Sequence, residues 1–425
     1  MFPHLHRGRS LTDAAAHNGP YSSPEQTNIV VSYRGIPMAL VGDGALLLSL
    51  DLNVNAFLKY KLHALCDRTG DRIASVAWVS VLHEVEFQPL TVQFFRAFTL
   101  PPPYKLTAFL ASPRPSGTNG VVVNGLSFPL AIIPVWEAWM RVKALQEKWR
   151  NSKHWLVTAS CEEPQQKDVF IEALSLFHEI SWGRGLRGFS DNELSSIASL
   201  TRFTSSDWLS STNMNHLSDM LQSEINDLGD RATLVSTDWI QAIRNRKAIP
   251  PSSPTSYLLH PLRHRFLHRQ GRLLVQQELH YLAGTTNLTD SHWISFIIRS
   301  PSRSILIGDS MFFGGPDGLG TGAHAEVIEC IQWFLWQSNF IASLDTTAYT
   351  VNLLHVNQQS DGHSCGIFAQ NSLDRYFNPD GHLQIVPASM CHPRAEEFIK
   401  IARRHLLSPP VSILTVVYLL DSQLL

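Results

Sequence analysis

Gln358-Gln359-Ser360-Asp361-Gly362-His363-Ser364-Cys365-Gly366 sets a cysteine behind a short polar loop and directly before a run with helical spacing. Upstream, Tyr349 to Val356 reads as a buried strand, and downstream Ile367, Phe368, Leu373 and Phe377 recur at the spacing of one helix face. The pattern predicts a helix whose N-terminus carries Cys365. Peptide dipoles at such an end favour negative charge, which is the environment that turns a thiol into a nucleophile. A nucleophile of this kind also needs a base.

Ser291-His292-Trp293 opens a run, Ile294 to Ile298, that leads through Arg299-Ser300-Pro301-Ser302-Arg303 into Ser304-Ile305-Leu306-Ile307-Gly308-Asp309-Ser310. Two apolar runs about a short polar turn read as a β-hairpin. With Ile298 facing Ser304, His292 falls opposite Ser310 and beside Asp309, so a His–Asp couple forms at the open end. Asp309 would fix the tautomer and orientation of the imidazole, and His292 would take the thiol proton and return it to the leaving group. Gln359, six residues before Cys365, can aim its amide at an oxyanion beside the backbone N–H groups of the helix start.

The arrangement His292-Trp293, Asp309-Ser310, Gln359 and Cys365-Gly366 resembles the Ulp-type cysteine proteases, which process SUMO and related ubiquitin-like proteins. The order His, Asp, Gln, Cys matches, as do the seventeen-residue step from His292 to Asp309 and the six-residue step from Gln359 to Cys365. Upstream, Asp207-Trp208-Leu209 precedes a helical pattern through Met214, Leu217 and Leu221, similar to the family's entry helix. Ser364 stands where most members carry Asp, and the entry helix reads Leu209-Ser210-Ser211-Thr212 where they read Leu-Asn-Asp. The resemblance covers roughly residues 196 to 425. It implies an α+β, papain-like protease domain of the Ulp type and hydrolysis after the C-terminal Gly-Gly of a SUMO-like protein through a thioester acyl-enzyme. It further implies that Trp208 and Trp293 roof a narrow tunnel for the Gly-Gly tail, with no cofactor.

Two other readings share these residues. A catalytically idle or mobile-element-associated descendant would bind a ubiquitin-like protein without cutting it. Alternatively, Gly362-His363-Ser364-Cys365-Gly366 satisfies the G-x-S-x-G elbow of α/β-hydrolases, with Ser364 attacking. That fold places its acid and histidine after the serine on further βα units, and only about sixty residues follow Ser364.

Lys and Arg number 34 against 36 Asp and Glu, so no overall basic field points to nucleic acid. The local basic run Pro261 to Arg272 reads as a solvated helix face. Cys66, Cys161, Cys330, Cys365 and Cys391 form no CxxC pair and no zinc spacing, which argues against disulfides and metal. The first residues lack an apolar signal core, and no run reaches a membrane span; Val411 to Leu420 reads as a terminal strand. An intracellular, reducing location, nucleus or cytoplasm, suits a thiol enzyme.

Residues 1–28 are rich in Ser, Gly, Pro, Asn and His and read as disordered. Residues 29–182 read as an N-terminal module of unknown function. Its β-like runs at Ile29–Tyr33, Ala45–Leu50 and Ala74–Val79 are followed by helical patterns at Pro134–Arg150 and Asp168–Ile180. Glycine and arginine cluster in 183–195, which reads as a linker to a protease domain at 196–425, where His324 to Ile341 forms a further helix.

Overall fold

The computed structural model describes residues 29–31, 37–40, 52–59, 76–80 and 103–409, apart from 124, 131, 192–193, 249–260, 290, 313, 315–317, 320, 342–348 and 387–389. The expected disorder of 1–28, the strand at Ala45–Leu50 and the strand at Val411–Leu420 lie outside the described residues.

In chain order the first elements are β1 (Ile29–Val31), β2 (Pro37–Leu40), α1 (Val54–Lys59), β3 (Val76–Ser80), α2 (Pro103–Ala111), β4 (Thr118–Val123), β5 (Leu126–Pro129), α3 (Ile132–Glu162) and α4 (Lys167–Leu176). The chain continues with α5 (Ser211–Leu228), β6 (Ala232–Val235), α6 (Trp239–Lys247), α7 (Pro261–Val275), β7 (Tyr281–Leu288), β8 (His292–Arg299) and β9 (Ser304–Gly308). It ends with α8 (Gly322–Ile341), β10 (Thr350–Leu353), α9 (Cys365–Phe377) and α10 (Cys391–Leu407). Among the described residues no helix is long and apolar enough to cross a membrane.

The chain divides into two compact units, Met1–Leu50 with Tyr60–Leu145, and Asp51–Lys59 with Gln146–Leu425. In the first, β3, β4 and β5 form an antiparallel sheet and β1 pairs with β2. The expected strand at Ala74–Val79 and the helix at Pro134–Arg150 correspond to β3 and the first part of α3.

The second unit is built on a five-stranded mixed sheet in the order β10-β9-β8-β7-β6. Strands β7, β8 and β9 form an antiparallel meander, and β6 and β10 pair in parallel on its two sides. Parallel pairing needs a crossover connection, and α8 lies between β9 and β10 in sequence as α6 and α7 lie between β6 and β7. Strand β8 is apolar on both faces because the sheet is covered on both. Ile294, Phe296 and Ile298 join one core with Trp239 and Ile243 of α6, Leu267 of α7 and Ile331 and Phe334 of α8. Ile297 joins the opposite core with Leu221 and Ile225 of α5 and Leu373 and Phe377 of α9.

Three expectations need correction. The hairpin register is one residue off: Arg299 faces Ser304 and Ser295 faces Gly308, so Asp309 continues the ladder opposite Ile294. Because side chains alternate along a strand, that slip moves Asp309 to the face shared by His292 and Ile294, where the couple can form. Strand β10 is not buried; it is the edge strand, and Thr350, Asn352 and Leu353 are exposed. The described residues of the 183–195 segment are not a linker but packed chain of the second unit. Leu186 is fully buried, Ile197 N–H donates to Arg184 O at 3.1 Å, and Arg187 N–H donates to His405 Nδ1 at 2.9 Å.

Candidate active site

Cys365 is the first residue of α9, with Ser364 at the N-cap and the N–H groups of Ile367 and Phe368 turned back to the Ser364 carbonyl. The loop before it is tied by Asp361. One carboxylate oxygen, Oδ1, accepts from His363 N–H at 2.9 Å and Ser364 N–H at 2.8 Å; the other, Oδ2, accepts the Ser364 hydroxyl at 2.7 Å. These bonds hold the Asp361 carboxyl below its usual range despite burial. Ser364 is 1 % exposed and its hydroxyl is committed to Asp361, so it is placed as a brace and not as an attacking group. The mixed sheet, with its antiparallel meander, is also not that of an α/β-hydrolase.

His292 begins β8, and its Nε2 meets Asp309 Oδ1 at 2.6 Å. Asp309 lies just past β9 and also accepts Met311 N–H on Oδ1 at 2.7 Å and His324 Nε2 on Oδ2 at 2.7 Å. Burial opposes charge on the His292 ring, but Asp309 and Cys365 outweigh it and raise the ring to about 9. Burial likewise opposes charge on Asp309, yet the bonds from His292, His324 and Met311 hold its carboxyl far below the usual carboxylate range. The other ring nitrogen of His292, Nδ1, is buried and makes no hydrogen bond of normal geometry. Cys365 therefore acts on the ring as a near neighbour and not as a fully formed hydrogen-bond partner. Such bonds commonly tighten only when substrate is bound.

Gln359 is locked between the two halves of the site. Its N–H donates to Ser310 O at 3.0 Å, its Oε1 accepts from Ser310 Oγ at 2.6 Å, and its Nε2 donates to Asp361 O at 2.6 Å. An amide nitrogen carries two hydrogens, which leaves one N–H for a ligand. Trp293 is 3 % exposed and donates its indole N–H to Leu209 O at 2.9 Å, whereas Trp208, which precedes Leu209 in sequence, is 41 % exposed. The expected entry helix is α5. Ser210 and Asn213 form a reciprocal capping box, and Met214, Leu217 and Leu221 face inward. Structure thus brings together His292, Asp309, Gln359, Cys365 and Trp293, and places Trp208 on the neighbouring loop.

Three residues escape a sequence reading. His324 in the first turn of α8 carries no motif. Asp361 has a recognisable signal, an acid three residues before a serine at a helix start. Arg394 on α10 is buried and donates from Nη2 to Arg202 O at 2.5 Å and Asp207 O at 2.6 Å, which pins the loop carrying Trp208. Its signal is a charge four residues before Phe398, on the apolar face of α10. Among the described residues no group of three or more His, Cys, Asp or Glu is arranged to hold a metal ion.

A cysteine at a helix N-terminus beside an imidazole that a buried carboxylate holds is the layout of a thiol hydrolase. Residues 279–384 match the sequence model of the Ulp1 protease family, C-terminal catalytic domain. That segment holds His292, Asp309, Gln359 and Cys365. No curated protein matches the chain. Among solved structures, the C-terminal Ulp1 protease domain in complex with Smt3, the yeast ortholog of SUMO, is 16 % identical over 57 % of this chain and 96 % of its own, with a TM-score of 0.42. The Ulp1 SUMO protease with its catalytic cysteine oxidised to a sulfenic acid is 15 % identical over 57 % and 96 %, with a TM-score of 0.42. The Xanthomonas campestris effector XopD bound to ubiquitin is 15 % identical over 46 % and 92 %, with a TM-score of 0.28.

Proposed function

We propose that the chain is a cysteine protease that hydrolyses the bond after the C-terminal Gly-Gly of a SUMO-like protein, in maturation or deconjugation. The observation that carries this reading is the His292–Asp309 pair at 2.6 Å, with Cys365 acting on the same ring, inside the segment that matches the protease family. Cys365 Sγ attacks the carbonyl carbon of the terminal glycine, and His292, its charge balanced by Asp309, hands a proton to the departing amine. The resulting thioester is hydrolysed by a water that gives its proton back to His292. Gln359 Nε2 and the N–H groups at the start of α9 donate to the oxyanion in both steps. Trp293, fixed by the Leu209 carbonyl, and Trp208, exposed on the residue before Leu209, would restrict the approach to a chain as thin as two glycines.

The test is covalent trapping. SUMO and ubiquitin carrying C-terminal thiol-reactive warheads are incubated with the wild-type chain, C365S and S364A. We expect a SUMO adduct on Cys365 in the wild type and in S364A, and none in C365S. Undiminished binding of SUMO with no adduct from any Gly-Gly warhead would replace the protease with an idle binding domain. Fluorophosphonate labelling of Ser364 would instead establish a serine hydrolase.

A further inference from the structure

We infer that His324 is a positioning residue of this site, the outer member of a His–Asp–His chain in which it holds Asp309 for His292; the inference rests on the protease reading above. The Asp309 carboxylate is nearly removed from solvent, with a side-chain exposure of 4 %. Its two oxygens are shared unequally: Oδ1 takes His292 Nε2 at 2.6 Å and Met311 N–H at 2.7 Å, and Oδ2 takes His324 Nε2 at 2.7 Å. A carboxylate held by one oxygen alone can rotate about its terminal bond, whose rotamer well is broad. Held by both, it presents a fixed lone pair to the catalytic ring.

The three groups come from three elements. His292 is the first residue of β8, Asp309 follows β9, and His324 lies in the first turn of α8, so the chain of hydrogen bonds ties the crossover helix to the meander at the open end of the sheet. His324 is itself steadied by Phe312, whose ring meets it edge-on at 5.1 Å between centroids. Gly322, two residues earlier, adopts φ 62°, a left-handed conformation that starts α8 so that His324 falls on Asp309. A neutral imidazole bearing its proton on Nε2 is sufficient for this role. What is required of position 324 is an N–H donor at the reach of Nε2, which a glutamine amide also supplies.

The experiment compares H324Q, which keeps such a donor, with H324F, which keeps the ring volume and loses it. Two readouts are taken on the full-length chain. The first is the rate of Cys365 alkylation by iodoacetamide at neutral pH, followed by peptide mass spectrometry with exposed Cys161 as the internal control. The second is turnover of a SUMO fusion cut after Gly-Gly. H324F should alkylate Cys365 several-fold more slowly with Cys161 unchanged. It should lose about ten-fold in kcat with KM held within about two-fold, since misplaced reacting groups act on the chemical step. H324Q should recover both. If H324F does not fold, H324N takes its place: its amide falls short of Oδ2, so the same losses are expected. Wild-type rates in the donor-less variant, or equal losses in H324Q, would overturn the inference. A wild-type chain that cuts no SUMO fusion would count against the protease reading alone, because the alkylation arm reads the His–Asp–His chain without any substrate.

Discussion

At the residue scale the packing constraint next to the nucleophile is Gly366. A Cβ built there would lie 2.9 Å from Met214 Sδ, 3.2 Å from Leu209 Cδ1 and 3.3 Å from Trp293 Cδ1. The methionine can bend away, but Trp293 is held by its hydrogen bond to Leu209, so the strain falls on the neighbouring Cys365 and on the loop that carries Trp208. Gly366→Ala should therefore fold and bind substrate while losing roughly 10²-fold in kcat, because a displacement of about 1 Å in the reacting groups has that effect. A kinetic comparison in which only KM rises would place Gly366 in binding instead. The charge state of the site gives a second expectation. His292 is raised to about 9, so the ring is an imidazolium at neutral pH and becomes neutral as pH climbs through about 9. Activity that depends on this proton should fall across that range on the alkaline side of a kcat/KM profile. Asp309→Asn removes the carboxylate that raises the ring, so the alkaline limb should move to lower pH. A limb that stays put in that variant would mean that another group controls it.

At the scale of elements the segment 184–191 and helix α10 act as one. Arg187 N–H donates to His405 Nδ1 at 2.9 Å, and Arg404 Nε donates to Gly188 O at 2.6 Å. Burial, with the charges of Arg187 and Arg184 added, pushes His405 down to about 4. The sign follows from where each state takes up protons. Above about pH 6.5, the ordinary histidine value, folded and unfolded chains both hold this ring neutral and its contribution is fully present. As pH falls from there towards 4 the unfolded chain binds the proton first, so folding is progressively weakened. Urea unfolding of the wild type and His405→Phe should show the variant weaker at pH 7.5 but with a flatter decline between pH 6.5 and 4; parallel declines would exclude His405 as the source. This junction also marks where the sequence stops being readable. His292 with Asp309, and Gln359 with Cys365, lie in two local patterns, a hairpin and a loop-helix start; that the two patterns meet is implied by the family resemblance and not by spacing. Spacing misplaces the hairpin register by one residue because apolar residues on both faces of β8 leave no polar alternation to fix it. The 183–195 segment reads as a linker because its glycines and arginines are local signals, whereas its partners Arg404 and His405 lie more than two hundred residues away. His324 carries no local signal for the same reason: its meaning is its position in space beside Asp309.

At the scale of the molecule the second unit takes in residues 51–59 and everything from Gln146 onward, so a protease fragment starting at residue 196 would cut through packed structure. Helix α4 packs on α10, where Phe177 meets Phe398 at 5.9 Å between ring centroids and Arg403 pairs with Glu172 at 2.7 Å. Trp149 of α3 sits edge-on to Phe177 at 5.3 Å, and Phe57 of α1 stacks on Trp182 at 4.1 Å. Removing residues 1–195 would uncover Phe398 on α10, the same helix whose Arg394 pins the loop of Trp208. Burying one such aromatic ring stabilises by about 1.5–3 kcal/mol, a large part of the net stability of a domain. Expression of 196–425, 146–425 and the full chain provides the comparison. The shortest fragment should aggregate or melt far below the full chain and should label poorly with a SUMO warhead. Fragment 146–425 should be soluble but less stable than the full chain, because Phe57 no longer covers Trp182. Adding residues 51–59 in trans as a peptide should raise its melting temperature, through the stacked ring and the bond from Val54 N–H to Ile180 O at 3.0 Å. If 196–425 alone melted and labelled like the full chain, the contacts between α4 and α10 would contribute nothing to the fold, and the expected boundary at residue 196 would stand.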